Sequence, residues 1–281
     1  MDEWKNALTR GTILSCCVCS AMPVPLPEPS SLPAPLDGRP FSLFLDFDGT
    51  LVDIADRHDA VVVDTNVRRL VATLTGRLDG RLAVVSGRPA DEIVAYLHAE
   101  GSTPPFAIAG SHGLELRWTD GRREVPPRPA ALDETLTAFH ALAAEHPGVL
   151  VEEKPFGAAL HYRLAPEAGP ACNALADRIA RRTGFAVQHG KMVCELRADG
   201  PDKGDAIRRF LSEPPMAGTL PIFVGDDLTD EAGFAATESL GGAGILVGAR
   251  RETAARYGLA DVAAVHRWLA QLAHSCPRES A

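Results

Sequence analysis

The sequence predicts an α/β protein whose doubly wound, Rossmann-like parallel sheet is interrupted by an inserted α+β domain. Short apolar runs alternate with helical periodicity over residues 41–125, and the same alternation resumes over residues 200–281. Such alternation indicates a parallel sheet with helices on both faces. Residues 126–199 instead repeat the order helix, strand, strand twice, which is typical of an antiparallel sheet covered by helices. We therefore expect one core domain, built from two stretches of chain, with a second domain between them.

Residues 1–40 are expected to form a disordered tail, because residues 22–40 contain seven prolines. Asp2 and Glu3 stand where a secretion signal carries positive charge, which argues against export. The sequence contains no run of 18 apolar residues, so it predicts no membrane span. Met22 is an alternative start to the chain, in which case residues 1–21 are an upstream extension.

The cysteines suggest no metal or redox centre. Cys16 and Cys19 have the spacing of a metal knuckle, but no second pair and no nearby His accompany them. We interpret the six cysteines as reduced thiols of a cytoplasmic protein.

The first part of the core contains three predicted strands and two predicted helices. Each strand is a short apolar run, and the segments between the runs have helical periodicity. In chain order these elements are strand Phe41–Asp46, helix Asp64–Leu78, strand Arg81–Ser86, helix Pro89–Ala99 and strand Phe106–Ala109.

The inserted domain begins after the proline-rich residues 126–129 and ends at Asp199–Pro201. Its predicted elements are helix Ala130–Glu145, hairpin Val149–Glu153 with Ala158–Arg163, helix Pro170–Thr183, and hairpin Phe185–Gln188 with Met192–Arg197. The core then resumes with helix Lys203–Leu211, strand Leu220–Val224, helix Asp230–Ala236, strand Gly244–Val247 and two closing helices.

The amino-acid composition limits the kinds of molecule that the protein is expected to bind. A hydrophobic content of 46% supports a packed core, and a net charge of −9 argues against nucleic acid as a ligand. We expect a monomer that acts on a small molecule. If that molecule is an anion, local Lys and Arg side chains must offset the negative field of the protein.

Two carboxylates follow the first predicted strand. Asp46 and Asp48 lie two positions apart on extended backbone, so they point to the same side while Phe47 faces the core. A carboxylate at the end of an apolar strand is costly unless it is coordinated or used in chemistry. One of the pair could attack phosphorus, and the other could transfer a proton to and from oxygen. The alternative is a solvated acidic turn.

Groups suited to an anion follow elsewhere. Ser86 and Gly87 stand between the second strand and a helix N-terminus, where a hydroxyl and an amide can cradle phosphate or simply cap the helix. Lys203 opens a helix, where a cation is unfavourable unless an anion lies nearby; the alternative is an exposed surface lysine.

A group of acids follows strand Leu220–Val224. Asp226, Asp227 and Asp230 provide oxygen ligands of the kind that hard cations prefer. Capping of the next helix is the alternative for Asp230, but it does not explain Asp226 and Asp227. In an open parallel sheet, the carboxyl ends of the strands meet at one crevice, so all these groups are expected to converge there.

This order of motifs resembles the haloacid-dehalogenase (HAD) superfamily of phosphotransferases over Phe41–Ala281. The resemblance implies that Asp46 is the nucleophile, that Asp48 is the general acid and base, and that Ser86, Gly87 and Lys203 bind the phosphoryl group. It also implies Mg²⁺ on the carboxylates of Asp46 and Asp226 and the backbone carbonyl of Asp48, with Asp227 and Asp230 in support.

The position of the insertion narrows the substrate class. Asp48 and Ser86 are separated by 37 residues, and Ser86 and Lys203 by 116 residues. A cap domain at the second position is typical of the sugar phosphatases of this superfamily. Acidic and basic residues of the cap suit sugar hydroxyls, although surface ion pairs are the alternative. The candidate sugar ligands are Arg88, His112, Glu152, Lys154, Arg163, Lys191 and Glu195.

The cap motifs carry a closer resemblance. With Glu152-x-Lys154, His161-Tyr162-Arg163 and Gly190-Lys191-x-x-x-Glu195, the chain resembles the trehalose-6-phosphate phosphatase family in everything but residues 1–40. His58 departs from the proline expected in that family. The resemblance implies hydrolysis of trehalose 6-phosphate through an aspartyl phosphate, the last step of trehalose biosynthesis.

Two alternatives stay open. One is a phosphatase for another sugar phosphate, of the sucrose or mannosyl-glycerate phosphate type. The other is a non-catalytic module, against which the presence of Asp46, Asp48, Lys203 and Asp226 argues.

Overall fold

An eight-stranded sheet forms the centre of the core domain. The computed structural model describes residues 26–29, 39–55, 61–98 and 104–275. In spatial order the strands are β12-β11-β10-β1-β2-β3-β4-β5, numbered along the chain. The six parallel strands are β1 (Phe41–Leu45), β2 (Leu82–Val85), β3 (Ala107–Gly110), β10 (Leu220–Gly225), β11 (Ala243–Val247) and β12 (Tyr257–Leu259). Two antiparallel strands, β4 (Glu115–Arg117) and β5 (Arg123–Glu124), extend one edge.

Helices cover both faces of this sheet. One face packs against α1 (Thr65–Arg77), α2 (Ala90–Leu97) and α7 (Val262–Ser275), and the other against α5 (Lys203–Leu211) and α6 (Glu231–Ser239). Successive residues of β1 alternate between the two hydrophobic clusters, Leu43 and Leu45 on one side and Phe44 on the other. Both faces are therefore apolar, as a central parallel strand requires.

The inserted segment forms a second, smaller unit. Its antiparallel sheet has the order β6-β7-β9-β8, and α3 and α4 pack on it. Its hydrophobic cluster includes Phe139, Leu160 and Ile179 and is separate from the two clusters of the core. The bounds are α3 (Leu132–Glu145), β6 (Leu150–Lys154), β7 (Gly157–His161), α4 (Gly169–Thr183), β8 (Ala186–Gly190) and β9 (Val193–Arg197).

The predicted α/β class with an inserted cap is confirmed, but the edges of the large sheet differ from expectation. Only α7 closes the chain within the described residues, and the segment before it contains β12 rather than a helix. β12 has three residues, too few to give a periodic signal. β4 was not expected because its outer residues, Glu115 and Arg117, are charged, yet both are buried. Hydrogen bonds to Ser111 and Asp91 respectively satisfy these two side chains.

Part of the expected tail lies on the core. The amide of Gly258 in β12 donates to the carbonyl of Pro27 over 3.0 Å, Leu26 packs against the core, and Pro29 is buried. Proline lacks an amide donor but keeps its carbonyl, so this segment can satisfy an edge strand. Residues 26–29 therefore differ from the expected disordered tail. Residues 1–25 and 30–38, Cys16 and Cys19 among them, lie outside the described residues, as does His58.

None of the helices in the described ranges has the length and apolarity needed to cross a bilayer.

Candidate active site

The predicted groups converge beyond the carboxyl ends of β1 and β10, which pair directly. Asp46 follows β1 and is only 4% exposed. The Nζ of Lys203, the first residue of α5, donates to Asp46 Oδ1 over 2.7 Å and to Asp230 Oδ1 over 2.6 Å. Lys203 is buried, so the alternative of an exposed surface lysine is wrong.

Charge and burial have opposite effects on the pKa values of Asp46 and Lys203. Burial raises the pKa of Asp46 well above its ordinary value, Asp230 and Asp226 raise it further, and Lys203 opposes the shift. Burial alone would lower the pKa of Lys203, but Asp230 and Asp46 raise it more, so the ammonium stays charged. The lysine therefore supplies positive charge to the site without supplying enough to balance its carboxylates.

The acidic turn after β10 is organised by Asp230. This residue is fully buried; its Oδ1 accepts from Lys203, and its Oδ2 accepts from the amides of Asp226 and Asp227, both over 2.9 Å. Asp227 Oδ1 accepts from the Leu228 amide over 2.6 Å. Asp230 thus shapes the turn rather than facing a ligand, and Asp227 caps the segment that follows.

Asp226 fits a cation. One carboxylate oxygen each of Asp46, Asp226 and Asp230 lie within 4.8 Å of one another, although both oxygens of Asp230 already accept hydrogen bonds. Burial, helped by the charges of Asp230 and Asp227, raises the pKa of Asp226 to about 6. Asp226 Oδ1 is buried and has no hydrogen-bond partner among the described residues, an arrangement that is costly without a cation. The donors are carboxylate oxygens, which Mg²⁺ prefers.

Gly49 allows the turn after β1 to lie close to Asp226. Gly49 has φ of +77°, and a Cβ atom there would stand 2.2 Å from Asp226 Oδ2. Any side chain at this position would strain the backbone and displace the Asp226 carboxylate.

Asp48 is held by Arg88. Its two carboxylate oxygens accept from Arg88 Nε over 2.7 Å and from Arg88 Nη2 over 2.8 Å. Arg88 Nη1 pairs with Glu92 over 3.3 Å, and the guanidinium lies over the rings of Phe47 and Tyr96. Arg88 also lines a large cleft between the core and the cap, as expected of a sugar ligand, but its planar guanidinium is engaged with Asp48.

Ser86, Gly87 and His112 form one compact unit. Ser86 Oγ accepts from the Arg88 amide over 3.1 Å, and the His112 amide donates to the Ser86 carbonyl over 2.9 Å. The imidazole lies on Gly87, where a Cβ would stand 2.6 Å from the ring. Burial lowers the pKa of His112 well below its ordinary value, and Lys203, Lys154 and Arg197 lower it further. His112 is therefore a neutral side chain at neutral pH.

Charged residues of the cap share one face of its sheet. Glu152 and Glu195 flank Ala159 on neighbouring strands, and Lys154 is two residues beyond Glu152. Lys154 Nζ lies 2.8 Å from Glu195 Oε2 and 3.8 Å from Glu152 Oε1. Glu152 also contacts His161 over 2.7 Å. Glu152, Lys154 and Glu195 are called the cap triad below. Their side chains are more buried than those of ordinary surface ion pairs.

The core and the cap enclose the cleft between them. Its volume is about 600 Å³, and Asp48 and Arg88 of the core face Glu152, Arg163 and Lys191 of the cap across it. Lys154 and Glu195 line a smaller adjoining cleft together with His112. The candidate sugar ligands thus fall into two neighbouring groups.

Two contacts were missed by sequence reasoning. Glu92 holds Arg88, and Arg251 donates from Nη2 to the carbonyl of Asp227 over 2.6 Å. Arg88 and Glu92 are four positions apart at the start of a helix, which gave a weak signal for the first contact. Arg251 is 24 residues from its acceptor and stands in a loop, so no local pattern could have revealed the second.

Comparison with known proteins identifies the family. The family model for trehalose-phosphatase matches residues 44–263. A probable trehalose-phosphate phosphatase of Sinorhizobium fredii is 41% identical over 221 residues, covering 78% of this chain and 81% of the relative. The trehalose-6-phosphate phosphatase of Escherichia coli K12 is 39% identical over 231 residues, covering 82% and 85%.

Solved structures agree. A trehalose-6-phosphate phosphatase related protein has a TM-score of 0.70 at 28% identity, covering 83% of this chain and 96% of that one. A haloacid dehalogenase-like hydrolase from Bacteroides thetaiotaomicron, at 15% identity and a TM-score of 0.58 over 83% of this chain and 99% of that one, shows the same fold. The fold and family predicted from the motifs are confirmed, and the chain belongs to the trehalose-phosphatase family of phosphoric monoester hydrolases.

Proposed function

We propose that this protein hydrolyses trehalose 6-phosphate to trehalose and inorganic phosphate, with Mg²⁺ and through an aspartyl phosphate on Asp46. The observation that carries the proposal is the buried Lys203–Asp46 pair beside the orphaned carboxylate oxygen of Asp226. A nucleophile, a fixed cation and a carboxylate oxygen able to bind a metal ion are parts that phosphoryl transfer requires. The family membership supports the choice of substrate.

Asp46 and Asp48 carry the two halves of the reaction. Lys203 fixes Oδ1 of Asp46, so the other carboxylate oxygen attacks phosphorus and the bond from phosphorus to the sugar oxygen breaks. Asp48 gives a proton to that leaving oxygen. It then takes a proton from the water that cleaves the aspartyl phosphate, which restores both side chains. In the structure Arg88 holds Asp48 as a carboxylate, so one of these two hydrogen bonds must open before that oxygen carries the proton.

The phosphate and the metal use separate groups of residues. Ser86, Gly87 and Lys203 bind phosphoryl oxygens. The carboxylates of Asp46 and Asp226 and the backbone carbonyl of Asp48 would hold Mg²⁺, and Asp227 and Asp230 would support the turn. When bound, Mg²⁺ offsets the repulsion between the Asp46 carboxylate and the phosphate dianion.

Side chains of the cap recognise the sugar. A cleft of about 600 Å³ is within the range of small-molecule sites and leaves room for two sugar rings. The acceptors Glu152 and Glu195 and the donors Lys154, Arg163 and Lys191 match the mixed hydrogen bonding of sugar hydroxyls, and His112 adds a polar contact from the core. The side chains of the cap therefore act on the choice of substrate.

We propose that the reaction takes place in the cytoplasm and that the protein acts as a monomer. Cys172 and Cys194 are free thiols in the cap interior. Burial, with Cys172 nearby, raises the pKa of Cys194 to about 12, so this thiol stays protonated and unreactive.

The test is phosphate release from a panel of sugar phosphates, with Mg²⁺ and with EDTA. We expect trehalose 6-phosphate to be preferred over glucose 6-phosphate, because the cap can contact a second ring, and over sucrose 6-phosphate, because the chain belongs to the trehalose-phosphatase family. EDTA should abolish release and Mg²⁺ should restore it. A preference for sucrose 6-phosphate would overturn the substrate and leave the mechanism standing, whereas full activity in EDTA would overturn the metal assignment.

A further inference from the structure

The turn formed by Asp226 and Asp227 is held from two sides. Its amides donate to Asp230 Oδ2. Its carbonyls accept from Arg251 Nη2, over 2.6 Å at Asp227 and over 3.5 Å at Asp226. Asp230 was expected from the acidic motif, but Arg251 comes from the loop between β11 and β12. The three peptide groups between Gly225 and Leu228 are therefore held by side chains from two different segments.

Arg251 is itself anchored. Its Nη1 pairs with Glu231, the first residue of α6, and donates to the Glu252 carbonyl over 3.3 Å. The second oxygen of Glu231 accepts from the Ala254 amide over 2.8 Å. Arg251 and Glu231 are both largely covered, with side-chain exposures of 23% and 28%. The guanidinium is thus set between the start of α6 and its own loop before it reaches the turn.

This geometry matters because Asp226 carries the orphaned oxygen. The direction of the Asp226 carboxylate depends on the backbone of the turn, and rotation of either peptide group that flanks Asp226 would move its Oδ1 atom. Residues behind a metal ligand orient it, and their loss commonly weakens metal binding by about 10–100-fold. We propose that Arg251 is a positioning residue for the metal site, acting through the carbonyls of Asp226 and Asp227. The proposal rests on the assignment of Mg²⁺ to Asp226.

Arginine suits this role better than lysine. Its planar fork can contact the Glu231 carboxylate with one nitrogen and the turn carbonyls with another, at fixed relative angles. A lysine ammonium is a single point charge and would have to choose between these partners. We therefore expect Arg251→Lys to retain only part of the effect.

The test is a calorimetric titration of the metal-free, full-length protein with MgCl₂. Arg251→Ala should weaken Mg²⁺ binding by about tenfold or more, and Arg251→Lys by a smaller factor. At saturating Mg²⁺ the kcat of both variants should approach that of the unsubstituted protein, because neither substitution touches the reacting groups. Arg256→Ala is the matched control, since Arg256 lies in the same loop but pairs with Glu238. This control should leave Mg²⁺ affinity unchanged.

The outcomes separate the inference from the proposed function. If the unsubstituted protein binds no Mg²⁺, the metal assignment falls and the role of Arg251 falls with it. If that protein binds Mg²⁺ and Arg251→Ala binds it equally well, only the role of Arg251 is overturned. A merely structural role would lower the melting temperature without changing affinity. Should Arg251→Ala fail to fold, Arg251→Lys decides, because unchanged affinity there refutes the positioning role.

Discussion

Replacing Glu195 by alanine is expected to impair hydrolysis of the sugar substrate and to spare a substrate without a sugar. Glu195 and Lys154 are 13% and 16% exposed and lie 2.8 Å apart in the cap triad. Burial lowers the pKa of Lys154, but Glu195 and Glu152 raise it more, so the lysine is charged. Without Glu195, Lys154 keeps only Glu152, at 3.8 Å, as a close acidic partner in the triad.

The size of the loss follows from this geometry. Leaving a buried hydrogen-bonding group without its partner costs about 1–3 kcal/mol, and more for a charged group. The substrate also loses a hydrogen-bond acceptor that a site for hydroxyls is built to provide. Taking about 2.7 kcal/mol as the lost transition-state stabilisation, kcat/KM for trehalose 6-phosphate should fall by about a hundredfold.

The assay compares two substrates and one control variant. Hydrolysis of p-nitrophenyl phosphate should barely change in Glu195→Ala, because the core residues serve any phosphate monoester. Glu153→Ala is the control, since Glu153 lies in the same strand as Glu152 but pairs with His140 on the other side of the cap. That variant should behave like the unsubstituted protein with both substrates. Equal damage to both substrates by Glu195→Ala would show that the triad is structural and refute its role in sugar recognition.

Three further outcomes are expected. Asp46→Asn should abolish phosphate release and leave the melting temperature close to normal, because an amide cannot attack phosphorus; full activity, with deamidation excluded by mass spectrometry, would contradict the covalent mechanism. Arg88→Lys should lower kcat about tenfold on trehalose 6-phosphate and p-nitrophenyl phosphate alike, since Asp48 serves both; a rise in KM for the sugar substrate alone would instead assign Arg88 to sugar binding. A chain beginning at Arg39 should lose about 1–2 kcal/mol of unfolding free energy in urea, because Leu26 and the Pro27 carbonyl leave the edge strand; equal stability would mean that residues 26–29 contribute nothing.

The central strands and the polar residues at their ends could be predicted from the sequence. A buried strand gives a run of apolar residues, and a functional group at its end gives a charged residue directly after that run. Phe41–Leu45 is wholly buried, and Asp46 follows it at once, so an apolar run and an acid mark the strand and its function together. The same reasoning places Asp226 after β10. The edges of the sheet lack this signal. In β4, ion pairs and hydrogen bonds replace apolar burial, so the sequence pattern suggests a loop.

The contacts that orient the site were harder to predict than the groups that do chemistry. Arg88 sits inside a recognisable motif, but its pairing with Asp48 joins residues 40 positions apart. Arg251 joins a loop to a turn from which it is separated along the chain by α6 and β11. Such contacts depend on how strands are ordered in space, and sequence spacing carries no information about them.

The order in which the chain forms its sheet has a consequence for synthesis. β1 lies between β2, which follows it within the first part of the core, and β10, which is made only after the entire cap. Until the ribosome has passed residue 225, one side of Phe41–Leu45 has unpaired amides and carbonyls next to fully apolar faces. Exposed strand edges of this kind attract other chains. The cap has its own hydrophobic cluster and can bury its apolar residues during this interval, whereas any chain that stops before β10 leaves its innermost strand open on one side.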